Sequence, residues 1–487
     1  MQNIGTFRAL LCGAAAIALL TAAPAAAQDD LATVKRMLQE ERAQFQRMMQ
    51  AYERRIRALE QRTQQLEKKS AAAPPTTPVQ PPPPGQSPAE PPQRPPGSTE
   101  PTFSIRGPTG DIDFNIGLVV TGAASVSSAA NRITQFLMPG HHDPLGNGFT
   151  LQGAELSIEG IVDPYFDGVA RISFKLESTG ETATELEEAF LRTRNLPWGL
   201  QFKAGQFFTE FGRINVMHPH EWAFVNQNVI ISRMFGEDGM RGVGAQVSWL
   251  TPLPWFSQII LSVQNGKGGA MKSFLGSEGD VFGPGVQADR DIRAFAQLVK
   301  NFRWINGFDI NKEISANVGA SFAYGNNATG TSTSTYIAGG DVYVKWQPEQ
   351  NTRGFPFASA QFEFLHRWFD SAFTDTVTGD LRKQLLRDYG FYVQLLYGFQ
   401  PSLAGFRPDL VAGLRFDYAS SNGDSRDDPF RALRYRVSPN LTWYPTERSK
   451  VRIQYDYDWA QHLGRQSIHT VMLQLEFAIG AHGAHKF

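Results

Sequence analysis

Cysteine is almost missing: among 487 residues there is one, Cys12, inside an apolar N-terminal stretch. Arg8 precedes that stretch (residues 9–20), and Ala25-Ala26-Ala27 follow it as small residues before Gln28. A basic start, an apolar centre and a small-residue cleavage site predict an export signal over residues 1–27. A mature chain from about Gln28 would hold no thiol, which excludes disulfides, iron–sulfur clusters and thiol catalysis. Beyond residue 20 no apolar run approaches the roughly 20 residues of a spanning helix. A bundle of membrane helices is therefore excluded, though a membrane β-barrel is not. Charge of one sign is also lacking: the net value is −1, which gives no electrostatic case for nucleic acid. The motifs G-x-S-x-G, H-E-x-x-H and a phosphate loop are absent, so neither an enzyme nor a bound cofactor is expected.

What is present is alternation. In Val451–Trp459, Val451, Ile453, Tyr455, Tyr457 and Trp459 fall on one face of an extended strand. Arg452, Gln454, Asp456 and Asp458 fall on the other, because side chains alternate with period two. The rhythm recurs in sixteen segments: 111–121, 148–160, 166–178, 184–194, 198–208, 240–250, 255–265, 290–300, 312–324, 335–346, 357–368, 389–400, 407–418, 431–444, 449–459 and 468–480. Most reach the roughly 9–11 residues with which a tilted strand crosses a bilayer. Thirty-five Phe, 13 Tyr and 9 Trp suit the aromatic girdles of such a barrel. A soluble β-sandwich also alternates, but its polar face is then the outer one.

Connections carry a second rhythm. Tight turns recur at 162–165, 195–198, 251–254, 400–402 and 444–447. Longer loops alternate with them at 123–147, 209–239, 266–289, 325–333, 370–387, 420–428 and 460–466, with one short exception near Gly180. Short turns on one rim and long loops on the other predict a 16-stranded antiparallel up-and-down outer-membrane β-barrel over residues 103–487. An even strand number places both barrel ends on the short-turn, periplasmic side.

Two segments precede it. Leu31, Leu38, Phe45, Tyr52, Leu59 and Leu66 recur every seven residues, predicting a coiled-coil helix over 28–70. Val34 and Met48 begin a second apolar register, which Glu41, Arg55, Arg62 and Lys69 interrupt. Residues 71–102 are rich in proline and read as an extended linker.

A barrel of sixteen strands leaves an aqueous channel, and its lumen residues set selectivity. Alternation makes Arg171, Lys175, Arg192, Lys203, Arg293, Lys345, Arg415, Arg434, Arg436 and Arg452 basic lumen candidates. Glu155, Glu159, Glu188, Glu363, Asp456, Asp458 and Glu476 are the acidic ones, so no funnel of one sign emerges. Loop 209–239 carries Phe, Trp and Ile side chains that need cover, and long loops of this kind are usually functional. It is expected to enter the barrel and narrow the pore, with Arg213, Arg233 and Arg241 near the constriction. The alternative is an extracellular cap. His218 and His220 with Glu221, and His141 and His142 with Asp143, could supply metal ligands; so could His482 and His485.

The stretch Leu200–Gly212, LQFKAGQFFTEFG, is similar to the strand preceding the long third loop of the phosphate-selective porin O and P family. That resemblance implies a homotrimer in outer-membrane lipid, with lumen bases that carry anions such as phosphate. Arg213 follows the motif directly, and Arg171, Arg192 and Lys203 would be such bases. The mixed lumen charge departs from the family's pattern. The histidine-bearing loop and the tail also look like a second group, TonB-dependent outer-membrane receptors linked to zinc. Residues 28–101 do not supply the plug domain of such receptors. Uptake of zinc or a metal complex is thus the alternative function. A terminal aromatic, Phe487, is expected to address the barrel-assembly machinery, and the coil to reach towards the cell wall.

Overall fold

The computed structural model describes residues 103–107, 110–176, 180–277, 290–330, 332–374, 381–402, 406–422, 429–464 and 466–480. The expected export signal, coil and linker, and His482, His485 and Phe487, lie outside them.

A short strand β1 (Phe103–Gly107) folds back on the start of β2 (Gly110–Ser127). The wall continues as β3 (Gly148–Ile161), β4 (Phe166–Leu176), β5 (Thr182–Thr193), β6 (Leu200–Phe208), β7 (Arg241–Leu250), β8 (Phe256–Gln264) and β9 (Val299–Asp309). It is completed by β10 (Ile314–Asn326), β11 (Ser334–Trp346), β12 (Phe357–Thr374), β13 (Leu381–Phe399), β14 (Asp409–Asn422), β15 (Arg434–Thr446), β16 (Ser449–Ala460) and β17 (Gln466–Gly480). Each of β2–β17 pairs antiparallel with the next, and β17 pairs with β2, closing a ring of sixteen strands. Closure leaves no unpaired edge in this ring of sixteen strands, the condition for a strand to live in lipid. A 13-residue strand such as β10 is about 43 Å long at 3.3 Å per residue. Tilted by about 45°, it rises about 30 Å, the thickness of a hydrocarbon core.

The faces are inverted relative to a soluble protein. On β17, Val471, Leu473, Leu475, Phe477 and Ile479 are exposed, whereas Gln474 and Glu476 are buried. On β14, Leu414 and Phe416 are exposed while Arg415 and Asp417 are buried. On β16, Ile453 is 51% exposed and Arg452 is 1% exposed. A sandwich would bury the first set and solvate the second. Apolar side chains outside and ions inside define a transmembrane barrel.

One strand is displaced from its expected place. The eighth barrel strand is β9, at Val299–Asp309, and not 290–300. Both stretches alternate, but only the second places Asn301 and Arg303 inside and Phe302, Trp304 and Phe308 outside. Arg293 therefore lies exposed in the loop before β9 and is not a lumen residue.

On β3 and β5, the two strands that flank β4, a β-bulge interrupts the period. Thr121 pairs with Gly153 and Gly122 with Leu151, which leaves Gln152 as an extra residue in β3. Arg171 pairs with Glu188 and Ile172 with Leu186, which leaves Glu187 extra in β5. A bulge re-aims a side chain. Both Gln152 and Glu187 are buried, so Glu187 and Glu188 face inward in succession.

Candidate functional site: a lumen filled by the chain's own loops

The connection from β6 to β7 enters the barrel. Its base is closed by Asn215, whose Nδ2 donates to the carbonyls of Thr209 at 2.8 Å and Met240 at 2.9 Å. Thr209 N also donates to Met240 O at 2.9 Å. Between these points the loop crosses to the opposite wall. Glu363 on β12 accepts the amides of Arg213 and Ile214, and Ser321 on β10 accepts that of Gly212. Further along, Gln454 on β16 accepts the Val225 amide at 2.8 Å. Arg415 on β14 donates to both Asn226 oxygens at 2.7 and 2.8 Å.

Within this loop runs a helix (Val229–Phe235) whose seven residues are all buried. A helix apolar on most sides needs cover all round. The cover comes from inside the barrel: Ile230, Met234 and Phe235 cluster with Ala323, Ile337, Leu365, Tyr392 and Ala419 of the wall. Asp417 accepts the amide of Val229 at 3.1 Å, satisfying one orphan donor of the first turn. Glycines make room for the insert: a Cβ on Gly339 would stand 2.7 Å from the Phe211 ring.

Most of the lumen bases meet a carboxylate where they stand. Asp458 receives Arg434 at 2.7 Å and Arg436 at 3.0 Å. Asp388 receives Arg367 at 2.8 Å and Arg431 at 3.1 Å. Arg415 meets Asp417 and Lys450 meets Glu476, both at 2.8 Å. Arg303, which β9 turns inward, pairs with Asp341. Arg192 reaches Asp167 at 2.6 Å near the short-turn rim, and Lys203 reaches Glu210 at 3.4 Å. Arg452 donates to Thr442 and Gln474. Lys345 stands 5.5 Å over the Phe357 ring.

The three bases expected at the constriction are engaged as well. Arg213 lies 3.9 Å over the Tyr343 ring and donates to Gln361. Arg233 donates to the carbonyls of Arg431 and Ala432, and Arg241 is bound to Glu185.

The histidines converge. The loop between β2 and β3 carries His141 and His142, and the lumen loop carries His218 and His220. His218 Nδ1 lies 2.9 Å from Glu187 and 3.1 Å from Glu155; its Nε2 lies 3.1 Å from Glu188. His142 Nε2 is 3.2 Å from Glu187, and His220 Nδ1 is 3.2 Å from Glu155. Arg171 binds Glu188 at 2.6 Å and Glu159 at 2.9 Å, with its Nη1 3.0 Å from His218 Nε2. Burial disfavours the His218 imidazolium, but Glu155, with Glu187 and Glu188, outweighs it and holds the pKa well above the ordinary value. His141 belongs to a second group with Glu185 and Asp238. There Lys175 Nζ sits 2.6 Å from His141 and 2.8 Å from Glu185. Alternation found Glu155, Glu159 and Glu188. It missed Glu187, because a bulge abolishes the period; the only local signal was the adjacent pair Glu187-Glu188 in a strand.

The fold and this interior define a transmembrane β-barrel whose lumen is occupied by its own loops. The chain belongs to the family of an uncharacterized protein of Aquifex aeolicus (strain VF5), to which it is 30% identical over 362 residues, 70% of each chain. No protein-family model matches the chain. Among solved structures it is similar to the outer-membrane channel DcaP of Acinetobacter baumannii, with TM-score 0.46 and 11% identity over 77% of this chain and 99% of that one. An anion-selective porin from Comamonas acidovorans is similar at TM-score 0.43 and 10% identity, covering 76% of this chain and 100% of that one. OprB of Pseudomonas putida is similar at TM-score 0.44 and 12% identity, covering 76% and 94%.

Proposed function

We propose that the chain is an outer-membrane channel through which small polar solutes, anions included, diffuse passively past a constriction made by loop 209–239. The observation that carries this reading is the loop itself. It crosses the lumen and is hydrogen-bonded to β10, β12, β14 and β16. A barrel of sixteen strands without it would leave a wide aqueous channel. With it, only small solutes pass.

The paired bases support weak charge selection. An arginine already facing a carboxylate offers little net field to a passing anion. In a tenfold gradient of potassium chloride, the reversal potential of the reconstituted channel should therefore lie close to zero. A value near the ideal anion potential would replace this reading with a phosphate-type selective pore.

A homotrimer is part of the proposal, supported by the family resemblance of Leu200–Gly212. Sedimentation in detergent should give a mass near three chains, and a monomer would remove that part. The coil over 28–70 would then lie on the periplasmic side, and the C-terminal strand would be read by the assembly machinery.

A further inference from the structure

The inward groups around His218 carry an imbalance that the channel reading does not use. Arg171 pairs with Glu155, Glu159 and Glu188, and Glu187 adds a fourth carboxylate, so three negative charges remain if the imidazoles are neutral. The imidazoles are also arranged awkwardly for that state. His142 Nδ1 lies 2.9 Å from the carbonyl oxygen of Gln152 and must donate to it. In neutral His142 the other nitrogen, Nε2, then aims a lone pair at Glu187 Oε1, 3.2 Å away. His218 is similar: if Nε2–H is given to Glu188, its Nδ1 lone pair faces both Glu155 and Glu187. Lone pairs facing carboxylates repel unless a proton or a cation lies between them.

The spacing suits a metal ion. Ligand atoms of Glu155, Glu187 and His218 lie within 4.8 Å of one another. The closest pairs are 2.9 to 3.2 Å apart. Tetrahedral zinc with bonds of about 2.0–2.1 Å spaces its ligands by about 3.3 Å. A metal-bound imidazole needs an acceptor on its other nitrogen, and one is present in each case: Gln152 carbonyl on His142, and Glu188 carboxylate on His218, whose Nε2 also lies 3.0 Å from Arg171 Nη1. A cavity of about 20 Å³ borders the group, lined by His142, Gln152, Glu155, Ser173 and His220 among others. The neighbouring group of His141, Glu185 and Asp238 serves as a contrast. Its central cation is the ammonium of Lys175. Among the described residues, the ion partners of Glu187 and of Glu155 Oε2 are imidazoles.

We propose that Glu155, Glu187, His218, His220 and His142 form a site for one divalent transition-metal cation of the zinc class. The site joins β3, the bulge of β5 and two loops, so an ion there clamps the lumen loop to the wall. Nitrogen and carboxylate donors without sulfur favour zinc over softer ions. The inference goes beyond the channel reading and is tested independently of conductance.

The experiment uses the full chain in detergent, stripped with a chelator and titrated with zinc chloride by calorimetry. One zinc per chain should bind saturably. Glu187→Gln, which keeps the shape of the side chain, should weaken binding by about a hundredfold, and Glu155→Gln should do the same. Each variant is first shown to retain the heat-modifiable electrophoretic mobility of a folded barrel. A chain with His482→Ala and His485→Ala should bind as before. X-ray absorption of the loaded protein should show two or three imidazoles and carboxylate oxygen at about 2.0–2.2 Å. Absence of saturable binding overturns the proposal. So does affinity unchanged by both glutamine variants, or lost with the tail histidines.

Discussion

Removing residues 214–234 should raise the single-channel conductance severalfold. These residues include Val229–Met234, all but the last residue of the buried helix, and the stretch Phe224–Asn228 that crosses to β14 and β16. What remains, Thr209–Arg213 and Phe235–Met240, is long enough to rejoin β6 to β7 along the rim. The barrel wall keeps its own ladder of hydrogen bonds, because the loop adds none to it. The deletion does leave wall charges such as Arg415 without Asn226, but water can then solvate them. Planar-bilayer recording of the wild-type and deleted chains makes the comparison. A deleted chain that folds as a barrel and conducts like the parent would show that the loop does not limit flow.

Asp458→Asn has the largest expected effect on stability. One carboxylate there holds two buried guanidinium groups, Arg434 and Arg436. Both arginines come from β15, and register places Arg436 directly opposite Asp458. Removing one partner of a buried ion pair strands the other charge, at a cost of about 3–5 kcal/mol. Here one substitution takes the shared carboxylate from two charges, leaving Arg436 only the longer carboxylate contact with Asp456 at 3.8 Å. The loop is affected as well, since Arg436 also donates to the carbonyl of Gln227. The temperature at which the barrel loses its compact electrophoretic form should fall clearly. Glu349→Gln, which breaks an exposed pair with Lys312, should leave that temperature unchanged within error. Equal behaviour of the two variants would mean that Asp458 is solvated in the channel and that the interior is wetter than its burial implies.

These two outcomes probe different layers of the molecule, and the layers were not equally legible beforehand. Strand β16 could be read in advance, residue by residue. Ile453 and Tyr455 are outside and Arg452, Asp456 and Asp458 inside, as alternation requires. The same holds for β14, β15 and β17. The eighth strand was misplaced because residues 290–300 and 299–309 alternate equally well, and only pairing with β8 and β10 selects the second. Arg293 was lost from the lumen and Arg303 gained for this single reason.

The site was legible in composition more than in arrangement. Four histidines stood out, but nothing local joins His142 to His218, which lie on different loops. Glu187 was invisible for a sharper reason. A bulge is an extra residue relative to a partner strand, and the partner is remote in sequence.

By itself, then, the amino-acid order determined the two-faced strands, their number and the alternation of short and long connections. Those are consequences of a period of two and of turn chemistry, both local. The tertiary structure alone decided that loop 209–239 lies inside, that the inward bases of β4 to β16 find polar, carboxylate or aromatic partners, and that Glu155, Glu187 and three imidazoles meet. Each of these needs contacts between residues tens to hundreds of positions apart, which closing the ring brings within bonding distance.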